Sequence, residues 1–204
     1  MTTHETTSYQ GDIVGQQTDD DSEEVLFRHT FETRARLIGA SKAILWLSCP
    51  DHNDFDVFVQ IRKADQTGNI LRNVNIPLEE LGVHSEAEVQ TVNTLKYLGP
   101  TGILRASHRA FDPKLSKPHW PAHDHTKCDL ISPGSIVKLE IGLWPAAIQF
   151  EPGEQLVLKV SGHPMVLAEF EPLRGGFITG NKGRQILHFG GEYESRLEIP
   201  FVQV

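Results

Sequence analysis

The sequence predicts an all-β protein, a β-sandwich or jelly roll carrying a short helical insertion, and three observations lead there. After Glu24, apolar and polar residues alternate with period two along most segments, the pattern of a sheet that buries one face. Turn-forming clusters such as DQTGN and EPGEQ punctuate those segments. Residues 77–99 alone are dominated by helix formers, with Ser85 followed three positions later by Glu88 as in a capping box. Eight or so strands of this kind fit two antiparallel sheets packed face to face.

Residues 1–24 hold seven of the 27 acidic residues and none of the 19 Lys or Arg. They are rich in Thr, Gln, Gly and Asp and poor in large apolar side chains, so burial cannot offset the entropy of ordering them. The expectation is an acidic, disordered or draped tail over 1–24 and a single β-sandwich domain over 25–204, a length suited to one sizeable core. Val25, Phe27, His29 and Phe31 alternate with Leu26, Arg28 and Thr30 in the first strand, and KAILWLSC follows. FDVFVQIRKA sets Phe55, Val57, Val59 and Ile61 on one face, after which DQTGN turns the chain with Gly68 free to take positive φ. GILRASHRAF resumes as a strand and runs into a proline-punctuated loop. SIVKLEIGLWP shows the cleanest alternation, with Val137, Leu139, Ile141 and Leu143 together; QLVLKVSG, RQILHFG and YESRLEIPFV complete the set.

The net charge of −8 comes largely from the first 24 residues, and the remainder is near neutral with no cluster of Lys and Arg. A phosphate-tracking surface is therefore not expected, and no nucleic-acid partner with it. No run approaches the ~20 apolar residues of a membrane span, and the start lacks the basic and apolar regions of a signal peptide. A cytoplasmic protein without a membrane partner is the expectation. Cys49 and Cys128 lie far apart with no CxxC spacing and read as reduced thiols.

Residues 105–128, RASHRAFDPKLSKPHWPAHDHTKC, pack His108, His119, His123 and His125 into one span. His119, His123 and His125 have a spacing that could surround zinc, but Pro118 and Pro121 deny them a helical frame. A stiff extended loop whose histidines satisfy backbone groups explains the same residues. DHNDFD, residues 51–56, offers calcium-type oxygens but lacks the glycine and distal Glu of an EF-hand loop. No cofactor is expected. No G-x-S-x-G elbow occurs, since GASKA precedes a strand, and no phosphate-binding glycine loop is present. Trp46 and Trp144 sit in strands and read as core or inter-sheet residues, which leaves Trp120 as the contact candidate.

In order, GILRASHRAFDP, HDHT, PGSIVKLEIGLWPAAIQFEPGEQLVLKVSG and ILHFGGEYESRLEIPFV resemble the C-terminal non-catalytic domain of the X-Pro dipeptidyl-peptidase and cocaine-esterase family of serine hydrolases. FETRARLIGASKAILWLSC and NDFDVFVQIRKADQTGN extend the likeness over residues 25–204. The resemblance implies a jelly roll similar to galactose-binding domains, packed against an α/β-hydrolase domain that carries the Ser-His-Asp triad. That catalytic half is absent here, so no triad residue carries over and enzyme status stays open. What carries over is a role for Ser107, His108, Arg109 and Asp112 in organising the long loop. The candidate pocket or interdomain loop thus comprises those four with His119, Trp120, His123 and His125, and no metal site is assigned. Two other readings stand beside the accessory domain. One is a stand-alone cyclase, isomerase or dehydratase of small-molecule biosynthesis, using these histidines for acid/base work on a small-molecule ligand. The other is a carbohydrate-binding module built on Trp120.

Overall fold

The computed structural model describes residues 3–12, 23–74, 77–89, 96–165 and 179–203. Among these, strands follow in chain order: β1 (Glu5–Gln10), β2 (Glu24–Thr30), β3 (Ala35–Ser48), β4 (Asp56–Ala64), β5 (Asn73–Val74), β6 (Lys96–Tyr97), β7 (Thr101–Arg105), β8 (Val137–Phe150), β9 (Gln155–Ser161), β10 (Arg184–Phe189), β11 (Arg196–Glu198) and β12 (Phe201–Gln203). The larger sheet is built on β3. β8 runs along one edge of that strand, while β10, β11 and β12 pair in succession along the other, with β1 outside β10. The smaller sheet runs β2-β9-β4-β7, and β5 and β6 make a separate ribbon.

Most successive long strands lie in opposite sheets, the wrapped connectivity of a jelly roll. EPGEQ is indeed a turn, with Gly153 at φ 86°, but it joins β8 of one sheet to β9 of the other and closes no hairpin. DQTGN turns as its residues require. Asp65 accepts from the amides of Thr67 and Asn69 at 2.8 and 2.9 Å, and Gly68 takes φ 91°.

The inward faces are those the alternation marks. Val57, Val59 and Ile61 of β4 meet Leu139, Ile141 and Leu143 of β8, and all are essentially inaccessible to solvent. Each such side chain contributes about 1.5–3 kcal/mol of burial free energy. At one side of the sandwich β7 approaches β8 so closely that a Cβ on Gly102 would lie 2.5 Å from the Gly142 carbonyl oxygen. Gly102 at this crossing lets the sheets meet.

Two expectations are corrected. Residues 5–10 are an ordered edge strand paired to β10, with Tyr9 buried and its hydroxyl donating to Gln185 Oε1 at 2.6 Å. Composition averaged over 24 residues hid a short β-forming stretch, TTSY, whose stability comes from a partner far away in sequence. Residues 1–2 and 13–22 of the expected tail lie outside the described residues. The helical insertion is a chain of turns ending in one 3-10 turn, Glu86–Glu88. Ser85 and Glu88 do meet, Oγ donating to Oε1 at 3.0 Å, but not as a capping box: the Glu88 amide donates to the Ser85 carbonyl at 3.2 Å and the Glu88 carboxylate accepts the His84 amide at 3.3 Å. No α-helix follows this turn among the described residues, and 90–95 lie outside them.

Candidate functional site: the 105–131 loop and the seam beside it

The loop begins where β7 ends, and its root is held by carboxylates of DHNDFD. Arg105 forks onto Asp56 at 2.8 and 2.9 Å. Asp54 accepts the Ser107 hydroxyl at 2.7 Å, the Ser107 amide at 2.9 Å and the Phe55 amide at 3.0 Å. Asp51 accepts the Arg184 amide at 3.0 Å. The Asp residues that could have offered calcium oxygens are thus each engaged by a different protein donor. Ser107 is fully buried and donates its only proton to a carboxylate, so it is an anchor and not an accessible nucleophile.

Arg109 clamps the two ends of the loop together, its Nη1 donating to the carbonyls of Ala106 at 3.0 Å and Asp129 at 2.6 Å. Asp112 Oδ1 accepts the amides of Lys114 at 2.8 Å and Leu115 at 3.2 Å, closing the turn through Pro113. The return limb then crosses the outward face of β8. The Trp120 ring and Pro121 lie over Gly142, where a Cβ would come within 3.3–3.4 Å of both. His123 Nε2 donates to the Glu140 carbonyl at 3.0 Å, and Lys42 Nζ donates to the Pro118 carbonyl at 2.9 Å.

The histidines do not form a ligand set. His119 is exposed. The rings of His108 and His125 lie 5.8 Å apart, those of His123 and His125 6.5 Å apart, and His123 stacks on Phe111 at 5.4 Å. Among the described residues no three His, Cys, Asp or Glu side chains are placed to hold a metal ion. Burial, opposed by carbonyls of the surrounding backbone, holds the His123 pKa below the ordinary imidazole value. A general base also needs an orienting partner on its second nitrogen, and His108 Nδ1 is buried with no hydrogen-bond partner. This loop is a built structural element.

Beside it, along the β7–β8 seam, runs a groove of about 530 Å³ lined by Trp120, Trp144, Ile103 and Phe58. Trp144 is 70% exposed and Ile103 60% exposed, so the inter-sheet role expected for Trp144 is wrong. Trp144 sits one step beyond Glu140 and Gly142 on the outward face, and alternation alone places it there. Trp46 also faces outward, edge-on to Tyr193 at 5.6 Å. Phe111 and Leu115 add exposed apolar surface on the loop.

Two features escaped sequence reading. The first is a cavity of about 540 Å³ between the sheets, lined by none of the four loop histidines. The second is a buried pair in which Ser48 Oγ lies 2.8 Å from His188 Nε2, with His188 Nδ1 3.1 Å from His4 Nε2. It has the spacing of a Ser-His pair but an imidazole where a carboxylate would orient the base, and Ser48 is inaccessible. No short motif announces either feature, because each is assembled by strand pairing. Both cysteines are free thiols, Cys49 buried and Cys128 exposed.

The chain is similar in structure to a CocE/NonD family hydrolase from Staphylococcus aureus, with 30% identity and a TM-score of 0.78 over 98% of this chain but only 33% of that one. It is similar in fold to an aminopeptidase from a marine sediment archaeon, Thaumarchaeota archaeon, at 13% identity and a TM-score of 0.61, covering 98% of this chain and 34% of that one. An alpha-amino acid ester hydrolase matches at 13% identity and a TM-score of 0.51, covering 90% of this chain and 26% of that one. No curated protein sequence matches. The chain therefore spans about a third or less of these enzymes. Residues 1–198 match the X-Pro dipeptidyl-peptidase C-terminal non-catalytic domain, and the chain belongs to that family.

Proposed function

We propose that this chain is the accessory sandwich of a cytoplasmic serine hydrolase and docks on an α/β-hydrolase domain through the β7–β8 seam. The observation that carries the reading is the match of nearly the whole chain to a domain described as non-catalytic, while it covers only 33% of the Staphylococcus aureus hydrolase. The choice of face is supported by Trp144, Ile103 and Trp120, which share one groove next to a rigid loop. A patch of that kind is larger than singly scattered surface residues explain. The loop's role is then to present Trp120 and stiffen the docking face. Two free thiols suit a reducing compartment.

The test mixes this chain with the separately expressed catalytic part of a CocE/NonD hydrolase and measures complex formation by light scattering and ester hydrolysis by rate. A one-to-one complex with raised activity or heat resistance is expected. Ile103→Glu with Trp144→Glu should weaken it by about tenfold or more, since large apolar anchors dominate interfaces. Both positions are exposed, so the melting temperature of the lone chain should barely move. Absence of a complex, or one indifferent to both substitutions, refutes the proposal.

A further inference from the structure

The cavity between the sheets lies where the sandwich gapes, between β2 of the smaller sheet and the β10–β12 side of the larger. Two aromatic pairs bridge the sheets and hold the gap open, Phe27 meeting Phe189 edge-on at 5.9 Å and Phe31 meeting Phe201 edge-on at 5.2 Å. Phe31 also stacks on Phe150 at 4.5 Å, so the second strut is itself braced. Between the struts the walls are inward-facing apolar side chains, among them the buried Leu45, Leu158 and Leu187 and the half-buried Leu197. At about 540 Å³ the space falls within the about 300–1,000 Å³ of small-molecule sites, which are mostly apolar with a few polar groups.

No charged side chain turns into it. Alternation through β2 puts Phe27 and His29 inward and Arg28 outward, where it donates to the Gly68 carbonyl and Gln155 Oε1, both at 3.1 Å. Arg196 is likewise outward and held by Glu194 and Glu198. The Ser195 hydroxyl is spent, donating to the His188 carbonyl at 2.7 Å and accepting the Trp46 amide at 2.9 Å. That leaves His29 at the mouth, exposed and edge-on to Phe31 at 4.9 Å, with no hydrogen-bond partner on its ring nitrogens among the described residues. A neutral imidazole offers one donor and one acceptor.

We propose that this cavity binds an uncharged molecule with an apolar body and a single hydrogen-bonding end, the body lying among the leucines and the polar end meeting His29. Medium-chain alcohols and esters have this chemistry. A charged head would lose water here and find no counter-charge to offset the loss. The inference stands apart from the docking role, because it concerns the opposite side of the sandwich and is tested on the chain alone.

The experiment titrates the intact chain at pH 8 with 1-octanol, octanoate, octyltrimethylammonium and toluene, reading leucine and isoleucine methyl shifts by NMR. Octanol should shift Leu45, Leu158 and Leu187, and should bind several-fold more tightly than either charged probe of the same chain length. Leu197→Trp, which fills the cavity from a half-buried position, should weaken octanol by about tenfold, equivalent to losing the burial of about two methylenes. His29→Leu replaces an exposed side chain, so the fold is kept; it should weaken octanol several-fold and leave toluene, which has no polar end, unchanged. The shifts in the unsubstituted chain decide the question if Leu197→Trp folds poorly. Absence of shifts with octanol, a charged probe bound as tightly as octanol, shifts on Ile103 of the seam in place of the leucines, or octanol binding indifferent to His29→Leu would each overturn the proposal.

Discussion

Replacing Asp54 by Ala removes one carboxylate and strands three donors at once: the Ser107 hydroxyl, the Ser107 amide and the Phe55 amide, all within 2.7–3.0 Å. Hydrogen bonds to a charged group are worth about 1.5–3 kcal/mol each, but the three share one acceptor and the loop relaxes partly, so they do not add fully. Because Ser107 is inaccessible, water cannot replace the lost acceptor without opening the loop. The expected cost is about 3–5 kcal/mol. For a chain of this length that lowers the melting temperature by on the order of 10 °C. Ser107→Ala, which leaves the two amide bonds intact, should cost only about 1 kcal/mol. Thermal unfolding by circular dichroism measures both, and hydrogen exchange should show the loss of protection concentrated in residues 106–131. A shift under about 2 °C for Asp54→Ala would refute the anchoring argument. Calcium raising the melting temperature of the unsubstituted chain through Asp54 would do so too.

Three further outcomes follow from the same geometry. Gly99 holds φ 133° with Ile61 O where a Cβ would stand, so Gly99→Ala should cost at least about 2 kcal/mol in urea unfolding, against little for Gly82→Ala at an open turn, beyond its φ strain. Burial keeps the His188 pKa below the ordinary imidazole value, helped by His4, and burial does the same for His123. Their unfolded forms take up a proton near pH 6.5, so the stability they contribute is complete above about 6.5 and is lost as pH falls from there through their folded values. The urea midpoint should be flat above neutrality and drop below it, with a smaller drop in His188→Gln. Glu198 beside Lys42 and Glu151 beside Arg34 are held below the usual carboxylate range, and their contribution is lost only in a lower window. Finally, Ellman's reagent should titrate Cys128 at once and Cys49 only on unfolding, and rapid reaction of both would contradict the burial of Cys49.

The architecture was legible because burial imposes alternation. Val57 to Ile61 and Leu139 to Leu143 announce their inward faces without any partner being known. The same rule places Trp144 outward, and the inter-sheet reading failed by letting residue type outweigh position. Edge strand β1 was hidden because its stability resides in β10, at the other end of the chain. In the loop, Ser107, Arg109 and Asp112 stand out in the sequence, but their partners were not readable. Asp54 and the Ala106 and Asp129 carbonyls come to them through folding. The four histidines share a short stretch of sequence, but coordination needs convergence in space, and the His108–His125 and His123–His125 rings stand 5.8 and 6.5 Å apart.

β3 has an implication for how the chain is made. Its apolar run AILWL leaves the ribosome long before β8 and β10, the strands that cover its two edges, have been synthesised. At about 5–20 residues per second that interval lasts several seconds, during which a sticky, unpaired strand is available to any neighbour. Nascent chains of this protein should therefore be clients of a holding chaperone, and slowing translation between residues 49 and 136 should raise the insoluble fraction.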